Sequence, residues 1–135
     1  MEGVNIWPHI HIDDTGDLFD LVYSGALRDD IGHGYSGFYF GTAGEYTLLG
    51  AAHAIGSALV AQGHGKAAEP TTFSDDEIKK YHRGAYYSGT NSRAVSERSM
   101  RIGWKPRYTE MVDMEKHLGD EMIRLVKKYG TTYSG

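Results

Sequence analysis

The chain contains no cysteine. That excludes a disulfide scaffold, a cysteine-ligated zinc site and thiol catalysis, and it fits a reducing compartment. Basic residues are not in excess either. A formal net charge of −4 argues against nucleic-acid binding, which clustered lysine and arginine drive. No apolar run is long enough to cross a bilayer: Leu48–Ala61 is the longest, and Gly50, His53, Gly56 and Ser57 interrupt it. The first residues show neither the basic cluster nor the apolar run of a signal peptide, so cytoplasm is the expected compartment. Internal repeats and low-complexity tracts are also missing.

What is present is an ordinary globular composition. With 40% apolar and 24% charged residues, the chain is too hydrophobic to be disordered. Its 135 residues form one domain, long enough to bury about two-thirds of the unfolded surface.

Hydrophobic periodicity predicts a mostly helical α+β domain with two or three short strands. Ile6–Ile12 alternates isoleucine with histidine, the signature of a strand with one apolar face. Asp13 and Asp14 follow as N-cap candidates for a helix carrying Leu18, Leu21, Val22, Gly25 and Ala26. Phe38–Phe40, set between glycines, predicts a second strand, and Gly41–Tyr46 a turn. Thr47 caps a buried helix over Leu48–Val60, and Ser74 with Glu77 forms a capping box for a short helix to about His82. Another helix is expected over residues 93–102, ending at Gly103 before Trp104-Lys105-Pro106. The last runs from about Glu110 to Tyr129 with Gly130 as its stop, and residues 131–135 are expected to fray.

The order of these motifs resembles a known architecture. "WPHIHIDDTGDLFDLVYSGAL" is similar to the late strand–helix unit of extended short-chain dehydrogenases, the NAD-dependent epimerase/dehydratase family. "GFYFGTAGEYTLLGAAHAIGSAL" resembles that family's next strand, glycine-rich turn and helix. "NSRAVSERSMRIGWKPRY" resembles its C-terminal signature, a helix ending in Ile-Gly-Trp-x-Pro, and the wording is most like fungal members. The resemblance covers nearly the whole chain, in order, and implies the substrate-binding C-terminal part of such an enzyme.

It brings neither the nucleotide loop nor the catalytic pair. The chain contains no G-x-x-G-x-x-G, and none of its ten tyrosines has lysine four positions later. No nicotinamide cofactor is therefore expected, and none of the family's catalytic residues carries over. The chain would be a natural shortened relative, a partner completing a site with another chain, or a piece of a longer enzyme. Without the nucleotide-binding half, apolar surface would be uncovered, which predicts a homodimer.

Candidate chemistry then rests on the residues themselves. His9-x-His11-x-Asp13 would place three polar side chains on one strand face, a set suited to proton transfer or substrate contact, with metal binding the weaker option and a polar strand edge the plain alternative. His33 lies in a glycine-flanked loop, where function is often carried. Tyr46, beside Glu45, offers a phenol next to a carboxylate. Tyr81, Tyr86 and Tyr87 cluster in a segment suited to covering a substrate or an interface, and Arg98 could hold an anionic group. His53 reads as a satisfied core histidine, and Met111, Met114 and Met122 as core or adaptable interface. The expected activity is a redox-neutral isomerisation, dehydration or cyclisation of a small organic molecule by acid–base and template effects. The alternative is a non-catalytic substrate-binding fragment or partner subunit of a nicotinamide-dependent epimerase or dehydratase.

Overall fold

Helix signals in the sequence translate directly into caps. The computed structural model describes residues 3–130, so the expected fraying of 131–135 lies outside them. Strand β1 is Ile6–His9, followed by helix α1, Ile12–Arg28. Strand β2, Gly44–Thr47, runs straight into helix α2, Leu48–Ala61. Helices α3 (Asp75–His82), α4 (Glu97–Arg101) and α5 (Met111–Tyr129) complete an α+β fold that is mostly helix. No helix among the described residues is long and apolar enough to cross a membrane.

Thr47 caps α2 as expected, its hydroxyl accepting from Gly50 N–H at 3.1 Å. Ser74 and Glu77 form the reciprocal capping box of α3, and Gly130 ends α5 with a positive φ. The start of α1 differs from expectation. Its N-cap is His11, whose Nδ1 accepts from Asp13 N–H at 3.2 Å, while Asp13 and Asp14 fall inside the first turn. The strand correspondingly ends at His9 instead of Ile12. His9, His11 and Asp13 therefore do not share a strand face.

The two strands pair antiparallel in the register Ile6↔Thr47, Trp7↔Tyr46, Pro8↔Glu45 and His9↔Gly44. The expected strand at Phe38–Phe40 does not form, and β2 occupies part of the segment read as a turn. The reason is long-range. Ser99 Oγ donates to Phe40 carbonyl, while Ser96 Oγ accepts from Thr42 N–H at 2.6 Å and donates to Thr42 carbonyl at 2.8 Å. The Phe40 carbonyl and both backbone groups of Thr42 are thus satisfied by Ser96, the N-cap of α4, and Ser99 within it instead of by a ladder. α4 itself is only five residues long, where a helix over 93–102 was expected.

α2 packs along α5, and α5 also reaches β2. Gly44 permits that approach, since a Cβ there would collide with the Thr109 carbonyl and the His9 ring. Outside β1, the segment 88–92 is tied down by Asn5 Nδ2 and Trp7 Nε1, which donate to the Thr90 carbonyl at 3.1 and 2.7 Å. Among the described residues, buried apolar side chains are few: Leu18, Ala51, Ala58, Ile78 and Trp104. The methionine stripe of α5 does not form a sealed core, because no residue of that helix is fully buried and Met111 is exposed. His53 is likewise no core residue; it is part-exposed and lies 3.5 Å from the Glu69 carboxylate.

Candidate functional site

Asp14 is the residue that organises the molecule's most distinctive corner. Its side chain is fully buried and accepts from two successive backbone amides, Arg107 N–H at 3.0 Å and Tyr108 N–H at 3.1 Å. Its own carbonyl accepts from the buried Trp104 Nε1 at 2.8 Å. The Arg107 guanidinium lies 3.5 Å from the same carboxylate and donates to Asp17 at 3.1 Å. Asp17 foremost, and Asp14 further off, keep the Arg107 guanidinium more firmly protonated than usual. A buried carboxylate satisfied by charge-assisted bonds in this way locks the segment before α5 onto the first turn of α1.

The consequence is a cluster of three rings drawn from distant parts of the chain. His11, at the N-cap of α1, lies 4.0 Å from the Tyr108 ring centroid and 4.1 Å from that of His117 on α5. Tyr108 and His117 meet edge to face at 5.4 Å. These rings, with Ile10, Ile12, Met114 and Leu118, line an open depression of about 410 Å³. Asp113, Asp120, Glu121 and Arg124 form its charged rim. Because His11 Nδ1 accepts from Asp13 N–H, the hydrogen-bonding pattern leaves its Nε2 as the protonated nitrogen in the neutral ring.

Of the catalytic and substrate-binding candidates named from sequence, His11 alone lines this depression, together with Met114 of the methionine stripe. Asp13 sits just outside it, its carboxylate 3.6 Å from His11 Nδ1. His9 is the last residue of β1, edge-on to Tyr46 at 6.3 Å. Its Nε2 is inaccessible and has no hydrogen-bond partner among the described residues. Desolvation pushes the His9 imidazole below its ordinary value, against the opposing charges of Asp113 and Asp14. His33 is exposed at the entrance to a single 3₁₀ turn, Gly34–Ser36, and lines neither depression described here.

The tyrosines do not converge on His11. Tyr81 stacks loosely on Phe73 at 6.1 Å, and Tyr87 meets His82 at 6.5 Å, all on the α3 side of the molecule. Tyr86 O–H donates to Asp75 at 3.2 Å, and that carboxylate's charge raises the phenol above its ordinary range. Tyr86 therefore staples its loop to the N-terminus of α3. Glu45, the carboxylate beside Tyr46, is in β2 and pairs bidentately with Arg93 at 2.6 and 2.9 Å. That contact holds the Glu45 carboxyl below its usual range. Arg98 donates to the Tyr35 carbonyl at 3.2 Å and lines a second, separate depression of about 440 Å³ with Phe38, Phe40, Val95 and Glu97.

Tyr108 and His117 were not singled out from sequence. His117 did carry a signal: it stands three residues after Met114 and one before Leu118, a polar ring on the apolar stripe of α5.

The described residues do not fit a dinucleotide. Gly32-x-Gly34-x-x-Gly37 spells a dinucleotide fingerprint, yet it surrounds the 3₁₀ turn, with no strand before it and no helix after it. The two strand-to-helix junctions, His9-Ile10-His11 and Thr47-Leu48, contain no glycine to admit a pyrophosphate. No group of three or more metal-ligating side chains occurs among the described residues. A comparison with protein-family models found no match, and neither curated proteins nor solved structures gave one.

Proposed function

We propose that the chain binds a small organic molecule in the His11–Tyr108–His117 depression and moves a proton on it in a redox-neutral step. The observation that carries this reading is the convergence of two imidazoles and a phenol, 4.0 to 5.4 Å apart, on one part-apolar hollow. In an isomerisation, one imidazole takes a proton from a C–H bond beside a carbonyl, and the electron pair moves into the enol. The second imidazole, or the phenol, protonates the oxygen. When the first carbon carries a hydroxyl, the imidazole returns its proton to the former carbonyl carbon while that hydroxyl gives its own proton to the second group and becomes the new carbonyl, with no proton or electron gained or lost overall. Positioned acid–base groups of this kind contribute about 10²–10⁴-fold in rate. The reading agrees with the resemblance to a substrate-binding half of an epimerase or dehydratase, and it routes no step through nicotinamide.

Solvent-deuterium wash-in tests it without knowledge of the natural substrate. The chain is incubated in D2O with hydroxyketones, aminoketones and β-dicarbonyls, and loss of the acidic C–H signal is followed by NMR. Accelerated exchange that disappears in both His11→Ala and His117→Ala is expected. Exchange no faster than in buffer across the panel, or unaffected by both substitutions, overturns the acid–base role.

A second reading, a binding subunit that acts with another copy or chain, is favoured by the outer face of α1. Phe19, Tyr23 and Leu27 form one stripe there, 67–71% exposed. A helix apolar on both faces is ordinarily covered on both. A homodimer sealing this stripe is compatible with the site on α5.

A further inference from the structure

The rim of the His11–His117 depression is unequal in charge, and the inequality selects a ligand. Three carboxylates, Asp113, Asp120 and Glu121, face a single guanidinium, Arg124. Glu121 and Arg124 neutralise each other, since Arg124 Nε donates to Glu121 at 2.6 Å from one helical turn away. Asp113 uses one oxygen to accept from Glu110 N–H at 3.2 Å, as part of the cap of α5. Asp120 makes no ion pair among the described residues. Two carboxylates are therefore left uncompensated beside an apolar floor of Ile10, Ile12, Met114 and Leu118. The π-faces of Tyr108 and the imidazoles add to the attraction for a cation. The other depression makes a natural contrast, because its single acid, Glu97, is paired with Arg101 at 2.6 Å and Arg98 adds a positive charge to the lining.

We propose that the depression takes an organic amine: an ammonium held at Asp120, with an apolar or aromatic body lying against the rings and Asp113, two helical turns away, adding to the negative field. This rests on the reading of the hollow as a small-molecule site and names the class of molecule within it. An aminoketone would satisfy both, offering a C–H bond for proton transfer and a cation for recognition. The chain's overall negative charge favours the encounter as well.

The test uses three probes of matched shape, 2-phenylethylamine, 2-phenylethanol and 3-phenylpropionate, titrated into the full chain at low salt. Binding is read from the ring resonances of His11, Tyr108 and His117. The amine should saturate with a Kd about fivefold or more below that of the alcohol, the ratio one exposed charge pair gives, and the acid should bind weakest. Asp120→Asn, an exposed change that leaves the fold alone, should remove most of the amine's advantage and leave the alcohol unchanged. Alcohol binding equal to amine binding, tighter binding of the acid, or an amine preference untouched by Asp120→Asn overturns the assignment while leaving the site in place. If none of the three probes moves those rings, the site reading itself falls, and the amine inference with it.

Discussion

Replacing Asp14 is the sharpest perturbation the fold offers. The carboxylate is fully buried and accepts from Arg107 N–H and Tyr108 N–H at 3.0 and 3.1 Å. Hydrogen bonds to a charged group contribute about 1.5–3 kcal/mol each, and a donor left unpaired in a buried place adds its own desolvation cost. Asp14→Ala removes both acceptors and should destabilise the chain by roughly 3–5 kcal/mol, a large share of the ~5–15 kcal/mol typical of a domain. Asp14→Asn keeps one acceptor but turns an amide NH2 toward the other N–H, so a cost of about 2 kcal/mol is expected. With a urea slope of about 1–3 kcal/mol/M, the alanine variant should lose one or more molar in its unfolding midpoint, at unchanged slope. Because Tyr108 N–H is one of the two donors, ring contacts between Tyr108 and His11 should weaken in the same variant. An Asp14→Ala midpoint within about 0.3 M of wild type would refute the clamp, since that corresponds to less than about 1 kcal/mol.

Two further outcomes follow from the same structure. His9 is held below its ordinary value of 6.5 by burial, so the unfolded chain binds its proton more readily than the folded one. Its contribution is intact above about pH 6.5 and is lost as pH falls toward the lowered folded value; His9→Leu should flatten that part of the stability curve, measured as urea midpoints at about pH 7.5 and 5.5. On α1, Phe19→Ser with Tyr23→Ser should raise a homodimer's dissociation constant by about tenfold or more in sedimentation equilibrium, while monomer stability changes little because both side chains are exposed. A wild-type chain that stays monomeric at high concentration would contradict that interface.

The parts of the fold legible in the sequence are those decided locally. Thr47 and the Ser74–Glu77 box cap their helices because a side chain within three residues satisfies an orphan amide. The long period of α5 was equally plain, down to Gly130. Phe38–Phe40 misled because aromatic β-propensity was overridden by Ser96 and Ser99, more than fifty residues away. Asp14 looked like a cap, and its true role depends on amides 93 and 94 positions along the chain. His11 was found on alternation with His9, yet what brings it to Tyr108 and His117 is that same distant clamp. Tyr81, Tyr86 and Tyr87 suggest a surface for a substrate or an interface, and the hydrogen bond by which Tyr86 secures α3 depends on Asp75, eleven residues earlier, which composition does not show.

The most direct test of the account is chemical-shift mapping of the chain against a broad set of small fragments, comparing wild type with His117→Ala. Saturable shifts should gather on His11, Tyr108 and His117, and the neighbouring shifts should vanish in the variant. Shifts confined to Tyr35, Phe38 and Phe40, or none that saturate, would contradict the central claim that the hollow between α1 and α5 is where this protein works.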